Sequence, residues 1–124
     1  MLSKTSVVKA RKAIESLYNG ECSIIEYQKI KKPNKTTGFE EVTVIEHQPC
    51  RIAFKSVTSA KEGLVNSSIT QVIKLFIAPE ITVKTGSKIT VTQNGITTEY
   101  KSSGKPAMYE THQEIILELF DGWS

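Results

Sequence analysis

Apolar residues recur near the start of the chain at Val7, Ala10, Ile14 and Leu17, steps of three and four that lay one stripe along an amphipathic helix of about four turns. Lys4, Lys9, Arg11 and Lys12 fall largely off the stripe, Thr5 or Ser6 can cap its start, and Asn19-Gly20 supplies a left-handed stop. After Gly20 the period changes to two. Residues 22–31 and 40–54 are rich in β-branched and aromatic side chains, and KPNKTTG between them has turn chemistry, which predicts a hairpin. Centred near residue 36, this hairpin sets Cys22 almost opposite Cys50 and gives Ile24, Cys50, Ile52 and Phe54 one inward parity.

Residues 56–68, SVTSAKEGLVNSS, have no periodicity and read as a long mobile loop, a place where compact domains often keep a function. Residues 69–78 form the strongest strand, stopped by Pro79, which cannot donate to a ladder. A short segment from Ile81 to Val83, a Thr85-Gly86 turn and a hairpin about Asn94-Gly95 follow. That hairpin pairs Val91 with Thr98 and Ile89 with Tyr100, because a type I′ turn needs positive φ at both central residues. A break at Ser103-Gly104 and Pro106 precedes a last strand over 113–120. The elements predict one domain over 1–124: a helix in 1–20, a β-barrel in 21–120 with its loop at 56–68, and a tail at 121–124. The fold class is mainly β, a small antiparallel β-barrel of six or seven strands with one N-terminal α-helix and a long mobile loop.

Two strands are apolar on both faces. In 69–78, Ile69, Ile73, Leu75 and Ile77 make one face while Val72 and Phe76 make the other apolar too; in the last strand Ile115, Leu117 and Leu119 oppose Ile116 and Phe120. A small barrel buries one face of each strand, and a single helix stripe covers part of the outside. Val72, Phe76, Ile116 and Phe120, with Trp123 in the tail, are therefore the expected subunit contacts.

Charge sharpens this picture. The first 35 residues hold eight of the sixteen Lys and Arg against Glu15, Glu21 and Glu26, whereas from Glu110 onward the charged side chains are Glu110, Glu114, Glu118 and Asp121. A basic start and an acidic end fit subunits that meet by unlike surfaces. No apolar run approaches the ~20 residues of a membrane-spanning helix, and the start has no uninterrupted apolar core of a signal peptide, so no membrane partner and a cytoplasmic site of assembly are expected. Cys22 and Cys50 form no C-x-x-C pair and read as buried free thiols.

Candidate chemistry is sparse. Glu110, His112 and Glu114 alternate along one face, but neighbours there sit about 7 Å apart, too far to converge on a metal without a ligand from elsewhere. A His112 hydrogen-bonded to nearby backbone is the reading preferred. No nucleophile elbow, phosphate loop or dinucleotide fingerprint is present, so neither an enzyme nor a cofactor is expected. Lys29, Lys31, Lys32 and Lys35 form a basic hairpin tip with Tyr27 and Phe39 nearby, which opens a second reading: an OB-like module binding single-stranded nucleic acid.

The second half of the chain resembles the small head-completion proteins at the neck of tailed bacteriophages, the stoppers or head-tail connectors. The features are the strand before Pro79, the turn Gly86-Ser87-Lys88-Ile89, the Asn94-Gly95 hairpin and the run Tyr109-Glu110-Thr111-His112-Gln113-Glu114-Ile115. The Cys22-x-Ile24 strand, a Gly-containing loop and Pro49-Cys50-Arg51 extend the match over most of the chain. The resemblance implies a homo-oligomeric ring in the neck of the virion, assembled in the bacterial host. It seals the portal exit, with a portal or adaptor protein above and a tail terminator or tail tube protein below. Packaged DNA passes in the channel without sequence specificity. The resemblance also implies a loop reaching that channel, here Ser56, Val57, Thr58, Ser59, Lys61, Glu62, Asn66, Ser67 and Ser68. Its near neutrality suits steric closure better than an electrostatic grip. A tail-completion protein on the other side of the same joint is the nearest structural alternative.

Overall fold

The computed structural model describes residues 3–34, 36–59 and 68–123. Helix α1 (Lys4–Glu15) is followed by β1 (Gly20–Lys31), β2 (Thr37–Ser59), β3 (Ser68–Ile77), β4 (Lys88–Gln93), β5 (Ile96–Met108) and β6 (Gln113–Leu119). The strands close into an antiparallel barrel in the order β1-β2-β3-β6-β5-β4. The mainly β class with one N-terminal helix holds, with six strands among the described residues. The seventh fails at Ile81 to Val83, which lies between β3 and β4 without a ladder, although Val83 and Ile81 still pack on the core.

Strict alternation builds the interior. Cys22 and Ile24, Cys50 and Ile52, Leu75 and Ile77, Ile89 and Val91, Tyr100, and Ile115 and Leu117 all point inward and are buried. Each fully buried Leu or Ile among them contributes roughly 1.5–3 kcal/mol. The Asn94-Gly95 hairpin keeps the register its turn chemistry dictates, with Val91 opposite Thr98 and Ile89 opposite Tyr100, and both turn residues have positive φ. Two thiols share the core. Cys50 pairs with Gly20 and Cys22 with Gln48, because the hairpin turns near residue 34 and two irregularities then shift the register. Both cysteines are free, and contact with Cys50 together with burial pushes the Cys22 thiol pKa up.

Several boundaries differ from expectation. Ser3, not Thr5 or Ser6, caps α1, its side chain accepting from the Ser6 N–H, and the helix ends at Ser16 in right-handed conformation. Gly20 is not the left-handed stop but the first residue of β1, and its need for glycine is one of space. A Cβ there would come within 3.1 Å of the Thr92 carbonyl oxygen and 3.2 Å of Gln93 Oε1. The break at Ser103-Gly104 is a register shift inside β5, where Gly104 takes φ 80° and pairing resumes at Ala107. Of the loop expected over 56–68, Ser56, Val57, Thr58, Ser59 and Ser68 are strand instead, the first four pairing with Gln71, Thr70, Ile69 and Ser68. Lys61, Glu62, Asn66 and Ser67 lie outside the described residues. A two-stranded ribbon satisfies its backbone without needing an apolar period, which is why the missing periodicity misled.

Strand β2 determines the outline. Its N-terminal part pairs with β1 alone beyond Val42, since β4 reaches only to Ile25 of β1, and its C-terminal part pairs with β3 alone, since β6 reaches only to Ile73 of β3. One long strand thus serves the barrel with its middle and a two-stranded ribbon at each end. Phe54 keeps the inward parity but sits in the last row before the ribbon, beyond the end of β1, and is 55% exposed.

Candidate assembly surfaces

The outer wall of β2, β3 and β6 is built from cross-strand rows. Arg51, Phe76 and Glu114 make one row; Ala53, Lys74 and Ile116 make the next; Lys55 and Val72 follow where the ribbon starts. Three of the five expected contact residues, Val72, Phe76 and Ile116, therefore share one wall. Helix α1 covers only its first row. A cleft of about 280 Å³ separates Ile14, Leu17 and Tyr18 from Arg51, Phe76 and His112. No residue of α1 is buried, and Val8 and Leu17 stay more than half exposed. The helix is held by Arg11, which bonds Glu15 at 2.8 Å and Glu80 at 2.6 Å; its guanidinium keeps the Glu80 pKa below the ordinary carboxylate value. Ile116, 37% exposed, lies beyond its reach.

His112 organises the edge of this wall. Its ring stacks on Tyr109 at 4.9 Å and leans on Phe76 at 5.7 Å. Its nitrogens meet Thr111 Oγ1 and Glu114 Oε2, each at 2.9 Å, and Glu114 reaches Lys74 at 3.3 Å. The partners are side chains, so the expected backbone bonding of the ring does not occur. Burial would raise the Glu114 pKa, but the bonds from His112 and Lys74 turn the shift downward. Glu110 stands apart, exposed in the turn, and among the described residues no three His, Cys, Asp or Glu side chains converge as metal ligands. Tyr18 brings its hydroxyl into the protein beside the cleft, where among the described residues it has no partner, and burial, with Glu15, pushes its pKa up to about 12.

Phe120 and Trp123 lie elsewhere. The tail folds back so that Trp123 stacks on Tyr27 at 4.8 Å, Tyr27 stacks on Phe39 at 5.4 Å, and Phe120 meets Trp123 edge-on at 5.1 Å. Trp123 Nε1 donates to Glu41 Oε2 at 2.9 Å. Each aromatic pair contributes about 0.5–1.5 kcal/mol beyond the area it buries. Lys88 sits 4.9 Å from the Phe120 ring, bonded to Glu99 at 2.8 Å and Glu41 at 3.2 Å, which raises its pKa. Trp123 and Phe120 are thus already engaged with the barrel's own β1–β2 side. The same row flanks a groove of about 920 Å³ that runs past Lys29, Lys84 and Lys101 to the Gly86 and Gly104 turns. Sequence reading missed this row because Tyr27 and Phe39 join only through the hairpin register, and Trp123 only through the tail.

No protein-family model matches the chain, and no curated protein matches its sequence. Among solved structures, the protein xkdH of the phage-like element PBSX from Bacillus subtilis is similar to it, with a TM-score of 0.46 and 9% sequence identity over 84% of this chain and 93% of that chain, a similarity of outline.

Proposed function

We propose that the chain is a ring-forming structural subunit of a tailed-bacteriophage neck, which seals the portal exit, retains packaged DNA and docks the tail. The observation that carries this reading is the architecture of β2 and β3: a rigid barrel from which a two-stranded ribbon stands clear, beside a wall whose Val72 and Ile116 the chain leaves partly uncovered. A barrel supplies ring packing and the ribbon supplies reach toward an axis. The order of strands and turns that resembles head-completion proteins points the same way. In this reading Val72 and Ile116 are the subunit contacts, while Phe76 supports α1 and Phe120 and Trp123 hold the tail. The test is the position of the protein in averaged images of intact particles, with the double variant Val72→Ser, Ile116→Ser alongside. Density at the portal exit, and filled heads that leak DNA in the variant, are expected. Density elsewhere, or normal necks built by the variant, overturns the reading.

One observation favours a second reading. Tyr27, Lys29 and Lys31 share one face of β1, with Phe39 stacked across from them, so aromatics and cations do interleave as in single-strand binders. A salt-sensitive shift of a labelled oligonucleotide by the purified chain would establish it, and no shift at low salt removes it.

A further inference from the structure

The barrel order sets the β3–β6 seam diametrically opposite the β1–β4 seam, and the two walls carry opposite charge. On the first side are Lys4, Lys9, Arg11 and Lys12 of α1 with Arg51, Lys55 and Lys74 of the wall. Against them stand Glu15, Glu80 and Glu114, already bonded to Arg11 and Lys74, and Glu110 in the adjoining turn. Lys9, Lys12, Arg51 and Lys55 make no ion pair within the described residues. Across the barrel, the rows Glu21–Thr92–Thr97, Ser23–Thr90–Glu99 and Ile25–Lys88–Lys101 form a mostly polar wall on which Ile25 is an outward apolar side chain. Its Lys88 and Lys101 are outnumbered by the carboxylates bonded to them, Glu99 of the wall with Glu41, Glu118 and Asp121 at its margins. Among the described residues Glu21 has only His47, at 3.6 Å.

Subunits of a ring touch their two neighbours through different patches on roughly opposite flanks, each patch complementary to the other. We infer that in the ring the basic, partly apolar α1/β3–β6 wall of one copy seats on the acidic β1–β4 wall of the next. The occupant is a second copy of this chain; the inference rests on the proposed ring but specifies its contact. Charge complementarity selects the pairing, since each wall repels a copy of itself. Val72 and Ile116 give the contact its apolar part.

Charge swapping tests it with the full chain in solution at low salt, by sedimentation. One variant carries Lys9→Glu, Lys12→Glu and Lys55→Glu; the other carries Glu21→Lys and Asp121→Lys. All five sites are on the surface, and unchanged thermal unfolding of both variants checks the fold. Each variant alone should self-associate on the order of tenfold more weakly than the unaltered chain, because several exposed charge pairs turn repulsive at once. An equal mixture should regain association, because every wall then meets its complement. Variants that associate like the unaltered chain, a mixture that regains nothing, or an unaltered chain that stays monomeric at millimolar concentration overturns the inference. So does a first variant that prefers the unaltered chain to the second variant, which would mean that the basic wall pairs with itself. Location in the particle is a separate readout: a protein found at the neck with these results negative sinks the contact and spares the ring, and the reverse pattern sinks the neck.

Discussion

At the scale of single residues, two glutamines do work that apolar side chains cannot. Gln93 follows Ile89 and Val91 on the inward parity of β4, where β1 has run out beside β2. Its amide accepts from the Ile52 N–H at 2.8 Å and donates to the Ile52 carbonyl at 3.2 Å, acting as one rung of a missing strand. Gln113, 1% exposed, likewise donates to the Ala78 and Ile81 carbonyls and ties down the segment between β3 and β4. Gln93→Ala strands a half-buried N–H and C=O together, so it should lower stability by about 1–3 kcal/mol. Urea unfolding checks this: the midpoint falls with an unchanged slope, whereas an unchanged midpoint means water replaces the amide without loss. Parity made Ile24, Cys50 and Ile52 legible as core in the sequence. It failed at Phe54, since alternation reveals which way a side chain points and not whether β1 still reaches that row.

At the scale of elements, α1 is the part least bound to the rest. Its docking rests on Arg11–Glu80 and on Ile14 and Leu17 beside Phe76, and an exposed ion pair contributes at most about 1 kcal/mol. The Glu80 pKa is depressed by the bond from Arg11, so the contribution is present above the ordinary carboxylate value of 4.5 and is lost as pH falls through the lower folded value. Acidification through that window should release α1 while the barrel persists, read by NMR as a shift of the α1 signals without change in the Leu75 or Ile115 signals. Glu114, also depressed, titrates beside Phe76, so Glu80→Gln separates the two: the variant should show α1 loosened already at neutral pH. An α1 whose signals are indifferent to both changes would mean that the apolar contacts alone hold it. Elements were legible where local chemistry dictates geometry, as with Asn94-Gly95 and its pairing. They were misjudged where tertiary pairing overrides a local signal, as at Gly20, Gly104 and Ser56 to Ser59. Of the candidate site, Val72, Phe76 and Ile116 were readable as one wall from two-faced strands. The seat of Phe120 and Trp123 was not, because a tail's course depends on which surface it finds.

For the molecule as a whole, nearly all of the closed packing lies in the middle of the strands, and the parts proposed to meet partners lie outside it. The inward side chains of six strands form one cluster, so the barrel should open only by unfolding globally. By contrast α1 buries no side chain, and the β1–β2 ribbon over Lys29 to Lys31 has one ladder and solvent on its other edge. Amide exchange turns this contrast into a measurement. The Leu75, Ile77 and Ile115 amides should exchange at the rate set by global unfolding, with the full denaturant dependence, whereas α1 and residues 29–31 should exchange roughly a thousandfold faster or more and almost independently of denaturant. Association of copies should then slow α1 and the outer rows of β3 and β6 selectively, because the core amides are already at their limit. Were α1 as protected as Leu75 in the separate chain, its face would already be spent inside the molecule, and a neighbour would have nothing left there to cover.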